Sequence, residues 1–130
     1  MRFLLAAVGA AFVAVLTAPA ASAEPGPGYI DHVEWAKWGD LSSLRVYPTQ
    51  AGRVASTDFV APDQAWAEVL TLSPDAEIPG MQAQFNCHWH LAEFAYPGKV
   101  SWNLEPWRPE VDDTAMVDAG CNPGGTEEPF

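Results

Sequence analysis

Basic residues and cysteine are both scarce in this chain. Of 130 residues, six are Lys or Arg against 17 Asp or Glu, a formal charge of -11. That imbalance excludes a nucleic-acid partner, because gripping a phosphate backbone needs a basic surface that displaces counterions. The length fits one small domain and excludes a multidomain enzyme or a large α/β barrel. Also missing are a Gly-rich phosphate loop, a nucleophile elbow and a Ser-His-Asp signature. Ser42, Ser43, Ser73 and Ser101 stand in no such motif. No internal repeat or low-complexity block is visible. Six Trp and 48% hydrophobic residues nonetheless mark an ordered globular chain rather than a disordered one.

The N-terminus carries an export pattern. Arg2 is the only charge before Glu24, and Phe3–Leu16 is an unbroken run of apolar and small residues. Pro19 breaks that run, and Ala21-Ser22-Ala23 supplies the small–x–small pattern of a cleavage site. Residues 1–23 therefore read as a signal peptide. The run is shorter than the ~20 apolar residues of a bilayer span, so no membrane span is expected after cleavage. With no Cys at the cleavage point a lipoprotein is excluded, and with no twin-Arg pair the general export route is expected. The destination is the cell envelope or the medium. Loss of Arg2 makes the remainder still more acidic, a surface that stays soluble and repels anionic lipid.

Cys87 and Cys121 are the only thiols. Two cysteines in an oxidising compartment most simply form one disulfide. The rival reading is a redox or nucleophilic pair, Cys87 with His88. CxxC spacing is absent, and neighbours on a strand point to opposite faces.

Beyond a flexible Pro/Gly leader at 24–28, one secreted domain is expected over 29–122, followed by a loose tail at 123–130. Tyr29–Trp38 and Ser43–Pro48 read as strands of a hairpin turned at Gly39-Asp40. Thr49–Val60 has no strong period and reads as irregular. Pro62–Leu72 is the best helix, with Pro62 and Asp63 suited to a first turn and Ala65, Val69 and Leu72 on one face. Met81–Phe94 fits both helical spacing and strict alternation. It divides here into a helical turn at Met81–Gln84 and a strand over Phe85–Ala95. Pro97-Gly98 then turns into a strand over Lys99–Glu105, giving a second hairpin. Asp113–Ala119 reads as a short helix. The expected fold is α+β: a small antiparallel sheet of two hairpins packed against one main helix and a short C-terminal helix, with one disulfide.

Three stretches carry a resemblance: Gln84-Phe85-Asn86-Cys87-His88, then Lys99-x-x-Trp102-Asn103-Leu104-Glu105-Pro106-Trp107-Arg108-Pro109, then Cys121-Asn122-Pro123-Gly124. Across this C-terminal half the chain resembles an actinobacterial, notably mycobacterial, family of exported proteins of unknown function. The resemblance implies secretion and a Cys87–Cys121 pairing. It implies no mechanism.

Candidate sites follow from residue chemistry. On a strand His88 and His90 would share a face and reach one metal ion, with His32 or Glu93 completing the ligands. The competing reading is two partly exposed histidines beside a Trp. Glu105 could serve as a general acid with Trp102 and Trp107 as a sugar-stacking platform, given a second carboxylate such as Asp112 or Asp113. Against that stands a rigid corner fixed by flanking prolines, with Glu105 and Arg108 as an ion pair. Most of the six Trp should simply fill the core, about four by usual burial. The overall expectation is a monomer without catalytic activity or cofactor. It would bind an envelope protein or glycan through Trp102, Glu105, Trp107 and Arg108. A glycan hydrolase using Glu105 and a metal-binding protein using His88 and His90 are the alternatives.

Overall fold

The computed structural model describes residues 9–10, 13–16 and 28–125. Most of the expected signal peptide, all of 24–27 and residues 126–130 lie outside the described residues.

Two strands, β1 (Ile30–Trp38) and β2 (Leu41–Pro48), form the expected antiparallel hairpin, with Trp35 opposite Leu44 and Val33 opposite Val46. Gly39 at the turn has φ +59°, a left-handed conformation that suits glycine. β3 (Trp102–Leu104) pairs with the other edge of β2, placing Leu104 opposite Leu44 and Trp102 opposite Val46. The sheet is three-stranded, in the order β1-β2-β3. Cross-strand partners share a face. Leu44, Val46, Trp102 and Leu104 therefore point one way, whereas Ser43, Arg45, Asn103 and Glu105 point the other.

The second hairpin expected from sequence does not form. Phe85–Ala95 is not a strand but part of α3 (Met81–Ala95), a helix of 15 residues, and β3 pairs with β2 instead. Met81, Gln84, Phe85, His88, Trp89 and Ala92 are all buried, and their three- and four-residue spacing defines one broad helical face. Met81, Phe85, Trp89 and Ala92 carry that helical spacing in the sequence, but Phe85, Cys87, Trp89 and Leu91 also alternate, which let a strand compete with it.

Thr49–Val60, read as irregular, holds α1 (Gln50–Thr57). Its cap is Thr49, whose Oγ1 accepts from Gly52 N at 3.0 Å and donates to Gly28 O at 2.6 Å. The helix shows little apolar period because it seats backbone on backbone. A Cβ on Gly52 would come within 2.2 Å of the Tyr29 carbonyl. α1 ends on Phe59 in the left-handed region, with Val60 N donating to Ala55 O at 3.1 Å.

α2 (Asp63–Leu72) forms as expected behind Pro62. A 3-10 turn at Pro74–Ala76 leads on, and α4 (Asp113–Asp118) starts from Asp112, whose carboxylate caps Ala115 N at 2.8 Å.

The core lies between the apolar sheet face and α2 and α3. Trp89 and Trp102 meet edge to face at 6.1 Å, and Phe85 touches both at 6.2 Å between ring centres. Trp66, Trp89 and Trp102 are buried and Trp35 packs against them, whereas Trp38 and Trp107 reach the surface. A smaller core gathers Cys87, Met116 and Cys121 with Leu91 and Val111. There the two sulfurs stand 2.12 Å apart, at disulfide distance. Among the described residues no helix is long and apolar enough to cross a membrane. Both features are compatible with an exported protein.

Candidate functional site

Three of the four residues expected to bind a partner are inside. Trp102 is wholly enclosed in the core, and the Glu105 and Arg108 side chains are sealed from solvent. Arg108 Nε donates to Glu105 Oε2 at 3.0 Å, and Ser43 Oγ donates to Glu105 Oε1 at 3.2 Å. The guanidinium also donates from Nη1 to the carbonyls of Pro123 at 3.1 Å and Gly125 at 2.9 Å. A buried carboxylate and guanidinium need this matched set of partners, since either alone would be strongly destabilising. The pair thus welds the β3 corner to the C-terminal segment. With no path for a glycosidic oxygen to reach its carboxyl, Glu105 lends no support to a hydrolase. Trp107 alone stays at the surface, its Nε1 donating to Ser42 O at 3.0 Å and its ring 4.6 Å from the Arg108 guanidinium.

The two histidines separate for a related reason. On a helix, positions two apart differ by about 200° in direction. His88 is buried, with Nδ1 donating to Gln84 O at 2.8 Å, whereas His90 is exposed. The shared face required the strand that α3 replaces. His32 lies on β1, stacked on Tyr47 at 4.1 Å. Among the described residues no group of three or more His, Cys, Asp or Glu could hold a metal ion.

What the fold assembles instead is an apolar groove beside the disulfide. One wall is the C-terminal half of α3, through Leu91, Ala92, Phe94 and Ala95; a second is the segment Tyr96–Ser101. The third is the corner after α4, with Val117, Gly120, Cys121 and Asn122; His88 reaches the lining from α3, and the open groove has a volume of about 940 Å³. That lies within the range that holds small-molecule ligands. Phe94, Tyr96, Val100 and Val117 are 57%, 66%, 72% and 53% exposed. Large apolar side chains left this open in one contiguous place are unusual on a monomer and mark binding surfaces.

Sequence and geometry together set the groove's shape. The Tyr96–Lys99 turn is held by Arg53 of α1, which pairs with Glu93 and donates from Nη2 to Lys99 O at 2.7 Å. Glu93 also accepts from Gly98 N at 3.4 Å. Beyond α4, Gly120 N donates to Val117 O at 2.9 Å and Cys121 N to Met116 O at 3.0 Å, a left-handed helix stop. Cys121 itself has φ +66°, and its bond to Cys87 pins that conformation against α3.

Sequence reasoning missed Leu91, Phe94, Tyr96, Val100 and Val117. The signal was present at Leu91 and Phe94, three apart on a helix, but reading the segment as a strand divided them between two faces.

The described residues form a small α+β domain with an apolar groove beside the Cys87–Cys121 pair. Residues 30–124 match the family described as "Protein of unknown function (DUF2599)", and the chain belongs to that family. Over its whole length it is similar to the uncharacterized proteins Rv0477 of Mycobacterium tuberculosis and Mb0487 of Mycobacterium bovis. Each is 51% identical over 148 aligned residues, covering 100% of both chains. The uncharacterized protein ML2452 of Mycobacterium leprae is 50% identical over 101 residues, 76% of this chain and 82% of that one. No solved structure matches the chain.

Proposed function

We propose that this protein is a non-catalytic binding domain of the cell envelope or the medium, and that its binding site is the groove between α3, the 96–101 segment and the α4 corner. The observation that carries the reading is the row of Phe94, Tyr96, Val100 and Val117, all open to solvent around one cavity. Burying such surface against an apolar ligand stabilises a complex by about 25 cal/mol per Å² before the costs of association. Of the two partner classes expected from sequence, a glycan asks for several aligned polar groups beside its aromatic platforms. The lining is mostly aliphatic and aromatic, which favours an apolar group, whether carried by a protein or by a smaller molecule.

The test uses an uncharged environment-sensitive dye, N-phenyl-1-naphthylamine. The protein should enhance its emission saturably, and Val117→Asp should abolish the enhancement while the melting temperature holds. Absence of enhancement in the wild type, or equal enhancement by Val117→Asp, would overturn the reading.

A further inference from the structure

We infer that the groove takes a straight hydrocarbon chain with an uncharged end group, laid along α3. The inference rests on the groove being a binding site and adds the class of ligand. Its first support is where the polar groups of the lining point. His88 Nδ1 donates to Gln84 O at 2.8 Å, Ser101 Oγ to Asn103 Oδ1 at 2.7 Å, and Asn122 Nδ2 to Gly120 O at 3.3 Å. The backbone N–H groups of Tyr96, Lys99, Gly120, Cys121 and Asn122 are likewise spent on carbonyls of the chain itself. A peptide laid here would carry its own polar backbone out of water against walls whose donors are already engaged. A sugar would face the same loss through its hydroxyls. A hydrocarbon chain has no such groups to satisfy.

The second support is charge. The chain carries 17 acidic and six basic residues, yet among the described residues the lining contains no Asp or Glu. An anionic end group is repelled by so acidic a molecule, and a cationic one finds no carboxylate in the groove to pair with. Lys99, the one Lys or Arg of the lining, is itself engaged within the molecule. Shape is the third support. On α3 the lining positions His88, Leu91, Ala92 and Ala95 fall at three- and four-residue steps, a line of about 10 Å along the helix axis. Ala92 and Ala95 put only methyl groups on that line, and a volume of about 940 Å³ exceeds what a single aromatic ring fills. An extended chain suits both features.

The experiment is calorimetric titration with probes kept below their micellar concentrations. Affinity should rise from hexanol through octanol to decanol, on the order of ten-fold at each step. Cyclododecanol, richer in carbon but closed into a ring, and the capped peptide acetyl-Leu-Leu-Leu-amide should each bind at least about ten-fold more weakly than decanol. Decanoate and decyltrimethylammonium should also bind more weakly than decanol. Ala95→Trp, at an exposed position on the line, should keep the affinity for hexanol and cancel the gain to decanol. Flat affinity from hexanol to decanol, or equal binding of cyclododecanol or the peptide, would overturn the straight chain while leaving the apolar groove standing. Tighter binding of either charged probe would overturn the uncharged end. If neither the alcohols nor the naphthylamine dye binds, both readings fall.

Discussion

The carboxamide of Gln84 lies edge to edge with the backbone of Glu105. Its Nε2 donates to the Glu105 carbonyl at 2.9 Å, and the Glu105 N–H donates to its Oε1 at 2.9 Å. A helix side chain thereby supplies the donor and acceptor that a neighbouring strand would offer. The chain leaving β3 stays paired although the sheet has ended.

Gln84→Leu removes both bonds and leaves two buried backbone groups without partners. The expected loss of unfolding free energy is about 2–4 kcal/mol. Urea unfolding measures it. A loss well under ~1 kcal/mol would mean that water reaches the Glu105 backbone.

Two core tryptophans should respond unequally to the same change. Trp89 Nε1 donates to Val60 O at 2.7 Å, whereas Trp102 Nε1 is buried without a hydrogen-bond partner among the described residues. Each Trp→Phe change opens a comparable cavity, so Trp89→Phe should cost about 1–2 kcal/mol more than Trp102→Phe. Equal losses by chemical denaturation would contradict this.

Phe59 holds φ +60° and is 83% exposed, stacked on Phe94 at 6.2 Å. A bulky residue in the left-handed region costs about 1–2 kcal/mol, part of which glycine gives back through its freer unfolded chain. Phe59→Gly should therefore raise stability by up to ~1 kcal/mol, and Phe59→Val should lower it. Destabilisation by glycine would show that the ring stack outweighs the strain.

Cys121→Ser should lower stability by about 4 kcal/mol in the chain-entropy view, for a bridge spanning 34 residues. It should also weaken dye binding, because Cys121 forms part of the groove wall. Unchanged melting of the variant would show that the bridge contributes nothing to stability.

Asp75 gives an acid-side signature. Ser73 donates to its carboxylate and receives Trp35 Nε1 at 3.0 Å, which together hold the carboxyl below its ordinary 3.8. A depressed folded value stabilises above the unfolded one and loses that effect as pH falls through the folded value. Asp75→Asn should melt below the wild type at about pH 7, and the gap should close by about pH 2. A gap independent of pH would assign the effect to packing.

How much the sequence revealed depended on whether burial followed hydrophobicity. The β1–β2 hairpin and α2 were readable because Leu44 and Val46 alternate and Ala65, Trp66 and Val69 group on one helical face, although Leu72, read onto that face, is exposed. α3 was legible only in part, because Phe85, Cys87, Trp89 and Leu91 alternate while Met81, Phe85, Trp89 and Ala92 repeat at helical spacing. The buried Gln84 and His88 add no apolar signal to decide between them. α1 was obscured by Gly52, chosen for closeness to Tyr29 rather than for apolar area. The Glu105–Arg108 pair was foreseen as a corner ion pair, but its depth came from Ser43 and Pro123, far away in sequence. The groove is the hardest case, since Val100 and Val117 become neighbours only after α4 folds back.

Arg53 carries a final consequence. It lines none of the groove, yet it joins α1 to Glu93 and to the backbone that bears Lys99. One wall of the groove is thus held in shape in advance, and on the proposed reading a ligand would spend little of its binding free energy on ordering that wall.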